Sequence, residues 1–342
     1  MAVHRFIVSR RAALGLATGP LLLAAGPARA QPRLDRVSFV TNWRAQAEHG
    51  GFYQAQAAGL YRAAGLEVEL RSGGPQINPA QLLIGGRVDM AMGNGLGALG
   101  FVREGIPFLC VAAIFQKDPV VLIAHPGQGI DGFASLRGRP VLISAEPRVT
   151  WWPYVRQKYG LSDEQVRPYT FSLAPFLADK RVVQQGYLGS EPFSIRQQGV
   201  EPVVLLVHDS GFQDYGTTIH VGAKTLAERR EVVGRFVEAS LQGWDQYLKG
   251  RAGGFDTEGA NRLIRQQNPD MGEELIAYGT RMMNEEGVVR SGDALRGGIG
   301  AMTEARWQAL YEAAAQVGVV PAGMEWRRAF DLGLVNKGIG KA

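Results

Sequence analysis

A chain of 342 residues is long for one hydrophobic core and comfortable for two domains. It carries 37 basic against 32 acidic residues, but four of the arginines lie in residues 1–30; the remainder, 33 against 32, is nearly neutral and excludes a basic nucleic-acid surface. One cysteine, Cys110, excludes an internal disulfide framework, and its place in the apolar run 106–114 predicts a buried thiol acting as a small hydrophobe.

The chain opens with the pattern of an export signal. His4, Arg5, Arg10 and Arg11 form a basic head with no acidic residue, and an apolar run follows over 12–25. That run is short for a bilayer span, which takes about 20 apolar residues. Ala28-Arg29-Ala30 then puts small side chains where a signal peptidase cuts, just ahead of Gln31. Ser9-Arg10-Arg11 with Leu14 resembles the twin-arginine export pattern, with Ala13 where that pattern has a bulky apolar residue. No cysteine adjoins the cleavage point, so no lipid anchor is expected, and no later stretch is long and apolar enough for a transmembrane helix. The expected product is a periplasmic protein that begins near Gln31.

From there short apolar runs alternate with helical patterns. Strands are expected at 37–41, 66–70, 88–92 and 108–114, with helices at 51–58, 78–84 and 96–103 between them. This alternation predicts an α/β protein with mainly parallel sheets covered on both faces. A second unit is expected over 124–216, with strands at 140–144 and 203–207, a helix at 153–159 and a crossing segment at 211–216. After a strand at 217–221 the chain turns helical, with apolar residues recurring every three to four positions over 227–249, 273–286 and 303–317. One lobe should therefore comprise 31–123 plus 217–342 and the other 124–216. No linker separates them, so they should be joined by crossing strands.

Three stretches carry a family likeness: Asn42-Trp43 with Glu48-His49-Gly50-Gly51-Phe52-Tyr53, Gly86-Arg87-Val88-Asp89 running on to Asn94, and Ser190-Glu191-Pro192-Phe193. Together they resemble the substrate-binding proteins of ABC importers related to the binders of the thiamine pyrimidine precursor, hydroxymethylpyrimidine. That group also includes nitrate, sulfonate and taurine binders. The resemblance covers essentially all of 31–342. It implies a two-lobed periplasmic binding protein of the type II, Venus-flytrap kind, with a small-molecule ligand, an ABC permease and its ATPase as partners, and no cofactor. A monomer is expected.

Trp43, Asn94 and the 145–150 loop each follow an expected strand, where ligands of open α/β sheets sit. Trp43 is the leading stacking residue for a flat heterocycle. His49 can hydrogen-bond a ligand or cap its helix, and Tyr53 can line the cleft or the core. Glu191, fixed between Ser190 and Pro192, can accept paired N–H donors from an aminopyrimidine edge and would repel an anion. Of Trp151 and Trp152 at least one should reach the cleft, with Trp152 favoured; Tyr187 is a second stacking candidate. Arg148 reads as solvated. Asp89 is expected to orient the turn at 93–95. His125, His208 and His220 show no metal-site spacing.

The main rival shares the resemblance. The yeast-type enzyme that makes the thiamine pyrimidine forms pyridoxal phosphate on a lysine and consumes a histidine four residues later. Gly93 and Gly97 stand at those positions here, and no cysteine-rich cluster is present. Without an amine there is no Schiff base, so a binder rather than an enzyme is expected. A receptor sensing domain would need a membrane span after Ala342, where a free binder needs none. An aminopyrimidine is the favoured ligand, with riboflavin or another flat nitrogen heterocycle next, ahead of nitrate or sulfonate.

Overall fold

The computed structural model describes Met1 and residues 33–341 apart from 75, 76, 145 and 171. The export signal expected over 1–30 therefore lies, but for Met1, outside the described residues. Leu34–Ala342 forms one compact unit built on two five-stranded sheets. The first sheet takes β1 (Asp35–Val40), β2 (Leu66–Arg71), β3 (Met90–Gly93) and β4 (Phe108–Phe115). The second takes β5 (Val120–Ala124), β6 (Val141–Ile143), β7 (Val166–Pro168), β8 (Val183–Tyr187) and β9 (Val203–Leu206) before β10 (Gly216–Gly222) returns to the first.

Helices α1 (Gly50–Ala57), α2 (Leu60–Ala63), α3 (Pro79–Ile84) and α4 (Gly95–Arg103) connect the strands of the first lobe. α5 (Trp151–Tyr159), α6 (Ala174–Ala178) and α7 (Glu191–Gln197) do so in the second. The remainder, α8 (Ala223–Glu228), α9 (Arg230–Lys249), α10 (Glu258–Gln267), α11 (Glu273–Glu285), α12 (Ala294–Gly297) and α13 (Glu304–Gln316), follows β10.

The strand orders are β2-β1-β3-β10-β4 and β7-β6-β8-β5-β9. Within each sheet one strand runs against its neighbours: β10 is antiparallel to β3 and β4, and β5 is antiparallel to β8 and β9. In both cases it is the first strand after the chain has crossed from the other lobe. The sheets are thus mainly parallel, and the two reversals mark the hinge.

Composition explains these elements. β5 and β10 are buried along their whole length, and β4 nearly so, as strands covered on both faces must be. Two of the polar residues that β10 brings inside answer each other: Thr218 Oγ1 and His220 Nε2 are 2.8 Å apart. The apolar stripe of α9 buries Phe236, Val237, Leu241, Trp244 and Tyr247. α1 lies directly on that stripe, and a side chain at Gly51 would meet Trp244 Cγ at 2.1 Å. Truncating Trp244 to alanine should cost about 3–5 kcal/mol.

Some expected elements shift. The helix expected at 227–249 is two, α8 and α9, divided at Arg229, whose backbone leaves the helical region at φ −130. The strand expected at 88–92 begins only at Met90. Asp89 accepts hydrogen bonds from the N–H and hydroxyl of Ser38 at 2.8 and 2.7 Å and pairs with Arg229, so it ties β1 and β3 to Arg229 rather than orienting the turn at 93–95. Strands β5, β7 and β8 fall where no strand is expected from sequence. β5 sits where a lobe boundary was expected, and β8 hides in a glutamine-rich stretch, Gln184 being wholly buried within it.

Both crossings, 116–119 and 207–215, pass under Arg306 of α13. Its guanidinium donates to the carbonyls of Gln116 and Asp214, and to Gln116 Oε1 at 3.1 Å, and lies 4.1 Å over the Tyr215 ring. One side chain thereby pins the two hinge segments together.

Candidate ligand-binding site

The loops at the carboxyl ends of the strands carry the residues singled out from sequence. After β1 the chain turns through Trp43, whose carbonyl accepts from Gly73 N–H at 3.0 Å and Thr41 Oγ1 at 2.8 Å; its side chain is half-buried. His49 and Tyr53 are fully buried. His49 Nε2 sits 3.1 Å from Asn42 Oδ1, and burial pushes its pKa down to about 3, so it is neutral. Tyr53 donates to Gln267 Oε1 at 2.7 Å.

The turn after β3 has its donors occupied. Asn94 caps α4 by accepting from Gly97 N–H at 2.7 Å; Gly95 N–H donates to the Tyr215 carbonyl at 2.9 Å. Leu96 N–H meets both carboxylate oxygens of Asp214, at 3.2 and 3.3 Å. Asp214 is buried, and desolvation raises its pKa, with Asp118 adding to the effect. A helix N-terminus would ordinarily welcome an anion. Here the first-turn amides are already bonded and an acid stands on them.

Gly93 is tighter still: a Cβ there would lie 2.3 Å from His220 Cε1 and 2.6 Å from Nδ1. His220 is itself buried, held down to about pKa 4 chiefly by desolvation, and edge-on to Phe101.

In the second lobe, Trp152 spends its indole N–H on Asp163 Oδ1 at 2.9 Å, while the buried Trp151 Nε1 has no partner among the described residues. Their rings meet edge to face. Arg148 is exposed. Glu191 opens α7, and its carboxylate accepts from Tyr187 N–H at 2.7 Å and from Tyr169 OH at 3.0 Å. Its pKa is raised by desolvation, against which the Tyr187 amide and Tyr169 hydroxyl both pull down.

The lobes meet along a seam between α7 and α11. Arg196 Nη1 donates to Tyr278 OH at 2.8 Å, and the Phe193 and Tyr278 rings are 5.1 Å apart. A Cβ on Gly189 would lie 2.3 Å from Glu48 Oε1 and 2.9 Å from Gly279 Cα, so only glycine lets this loop descend onto the first lobe. Glu48 is 1% exposed, and among the described residues neither of its carboxylate oxygens has a partner outside its own residue. Burial, with Glu191 adding repulsion, lifts its pKa to about 7. The groove of about 760 Å³ that α7 and α11 border is lined by Pro192, Phe193, Arg196, Tyr278, Arg281 and Glu285, and by none of the ligand contacts expected from sequence.

The family described as NMT1/THI5 like matches residues 46–250, more than half of the chain. The chain belongs to the NMT1/THI5-like family. Within it, the riboflavin-binding protein RibY of Chloroflexus aurantiacus is 28% identical over 240 residues, 68% of each chain. The 4-amino-5-hydroxymethyl-2-methylpyrimidine phosphate synthase of Schizosaccharomyces pombe is 26% identical over 128 residues, 37% of each chain. Among solved structures, the periplasmic aliphatic sulphonate binding protein SsuA from Escherichia coli superposes with a TM-score of 0.62 at 13% identity, covering 87% of this chain and 92% of that one. That likeness shows the fold alone: the NMT1/THI5-like chain is a two-lobed periplasmic binding protein fold.

For this family member, sequence reasoning passed over Glu48, Gly189 and Asp214. Glu48 carried a usable signal, the single acid in the stretch 45–53, just ahead of the glycine pair at 50 and 51. Asp214 carried none, because its partner Leu96 lies 118 residues away.

Proposed function

We propose that this protein is the substrate-binding component of an ABC importer and captures a flat nitrogen heterocycle, a thiamine pyrimidine precursor or a close analogue, between its two lobes in the periplasm. What carries the reading is the acid at the seam: Glu191 stands close enough to add repulsion to the buried Glu48, and Asp214 covers the N-terminus of α4, which would otherwise suit an anion. Such a cleft repels nitrate and sulfonates and favours neutral or cationic ligands rich in N–H donors. Trp43 from the first lobe and Trp151, Tyr187 and Glu191 from the second are the proposed contacts. A ligand that touches both lobes stabilises the closed arrangement, because only differential contacts shift such an equilibrium. Riboflavin is the second reading, favoured by the 28% identity to the Chloroflexus protein.

Binding without catalysis is part of the proposal. A lysine at position 93, the place of the Schiff-base amine in the resembling enzyme, would have to displace the His220 ring. Among the described residues no helix is long and apolar enough to cross a membrane. The test is a calorimetric screen of the purified protein against an aminopyrimidine, riboflavin, taurine and nitrate, paired with uptake of the hit by cells lacking the gene. Binding of the anions alone, or unimpaired uptake, would refute this function. Incubation with pyridoxal phosphate should give no stable Schiff-base absorbance.

A further inference from the structure

We propose that Glu48 is the residue that selects the ligand: its carboxylate, shut into the seam between the lobes, takes the paired amino and ring N–H donors of a basic amino-heterocycle. This rests on the ligand-capture reading above and narrows it to one pattern of donors.

Asp214, Glu191 and Glu48 are carboxyl groups withdrawn from water near the carboxyl ends of the strands, and the first two are provided for. Asp214 holds the Leu96 amide, and Glu191 holds the Tyr187 amide and the Tyr169 hydroxyl. Glu48 is the most buried of the three and has neither a donor nor a counter-ion among the described residues. Its neighbours do not supply one: Glu191 is an acid, Tyr247 gives its hydroxyl to Asn261 Oδ1 at 3.2 Å, and the adjacent His49 is neutral and turned to Asn42.

Isolated buried carboxylates cost several kcal/mol, and native structures leave very few polar groups in that state. Protonation does not relieve the problem, because a neutral acid still has a hydroxyl and a carbonyl without partners. Glycine at 189 and at 279 is what lets the second lobe close over this group and remove it from water. The donors it lacks must therefore arrive with whatever the lobes close upon.

Two free oxygens in one plane match two parallel N–H groups, the edge offered by an amino group beside a protonated ring nitrogen. The pyrimidinedione edge of a flavin presents a single N–H between two carbonyl oxygens, which a carboxylate repels. Glu48 thus ranks an aminopyrimidine above riboflavin.

Isothermal titration of the full chain with 4-amino-5-hydroxymethyl-2-methylpyrimidine, riboflavin and taurine tests this. The wild type should bind the aminopyrimidine at least about tenfold more tightly than riboflavin. Glu48→Gln should lose about thirtyfold for the aminopyrimidine and less than about threefold for riboflavin, with its melting temperature unchanged or raised. Equal aminopyrimidine affinity in Glu48→Gln, or riboflavin bound best by the wild type, overturns the inference and leaves the heterocycle reading standing. Taurine alone bound, or no probe bound, overturns both. Should Glu48→Gln not fold, the same ranking is read on Glu48→Asp, which keeps the charge but withdraws it from the seam.

Discussion

Two carboxylates meet at one seam and live in opposite surroundings. Glu191, on the second lobe, opens a helix and is held by an amide and a phenol from its own lobe. Glu48, on the first, is deeper and holds no other residue among those described. Glu191 therefore builds its lobe, with a side chain already fixed in place. Glu48 contributes no bond to the fold and is a net cost to it. In a protein whose ligand completes the structure, the group with unmet bonds is the informative one.

The largest effect that separates the two is on pH dependence. Between about pH 4.5 and about 7 the folded protein keeps a proton on Glu48 that the unfolded chain has lost, so stability falls as pH rises through that window. The full drop is on the order of 3 kcal/mol. His49, His208 and His220, lowered to about 3, 4 and 4, act in the opposite sense: their contribution is lost as pH falls from about 6.5 toward those values. Comparing denaturant unfolding of the wild type and Glu48→Gln at pH 5 and 7.5 cancels the histidines. Equal slopes would mean that Glu48 is not isolated.

Next in size, Glu191→Ala should cost about 2–3 kcal/mol, since it leaves the Tyr187 amide and Tyr169 hydroxyl unpaired. Glu48→Gln should raise stability at pH 7 instead. Shifts of the same sign in urea midpoints would erase the contrast. In ligand titrations, Glu191→Ala should also weaken binding by about tenfold or more, some of it through this loss of support. The smallest effect is expected at Trp43, where alanine should lower affinity about tenfold, roughly 1.4 kcal/mol, with little change in melting temperature. Unaltered affinity would remove Trp43 from the site.

Sequence alone disclosed the alternating elements of the first lobe, because each is a run of apolar residues closed by glycine or a polar turn. It disclosed less of the second. Val183-Gln184-Gln185-Gly186-Tyr187 looks like a surface segment, yet it pairs with both β5 and β6, and Gln185 Oε1 accepts from Ser144 N–H at 2.9 Å. A side chain spent across the sheet cannot be told from a solvated one by composition. The same limit governs the site. Trp43 and Glu191 stood out through position and motif, while the isolation of Glu48 depends on Gly189 and Gly279, which come near it only in the folded chain. Nor could the sequence tell Trp152, with its indole bonded to Asp163, from Trp151.

The packing of His220 on Gly93 also constrains how this family could change trade. A lysine at 93 arising first would collide with the imidazole; a small residue at 220 arising first would leave a hole beside Phe101 and strip Thr218 of its partner. Each single step is a loss, so installing an amine at position 93 must cross a fitness valley two substitutions wide. Lineages on either side of that valley would be expected to stay there, which predicts that residues 93 and 220 vary together or not at all.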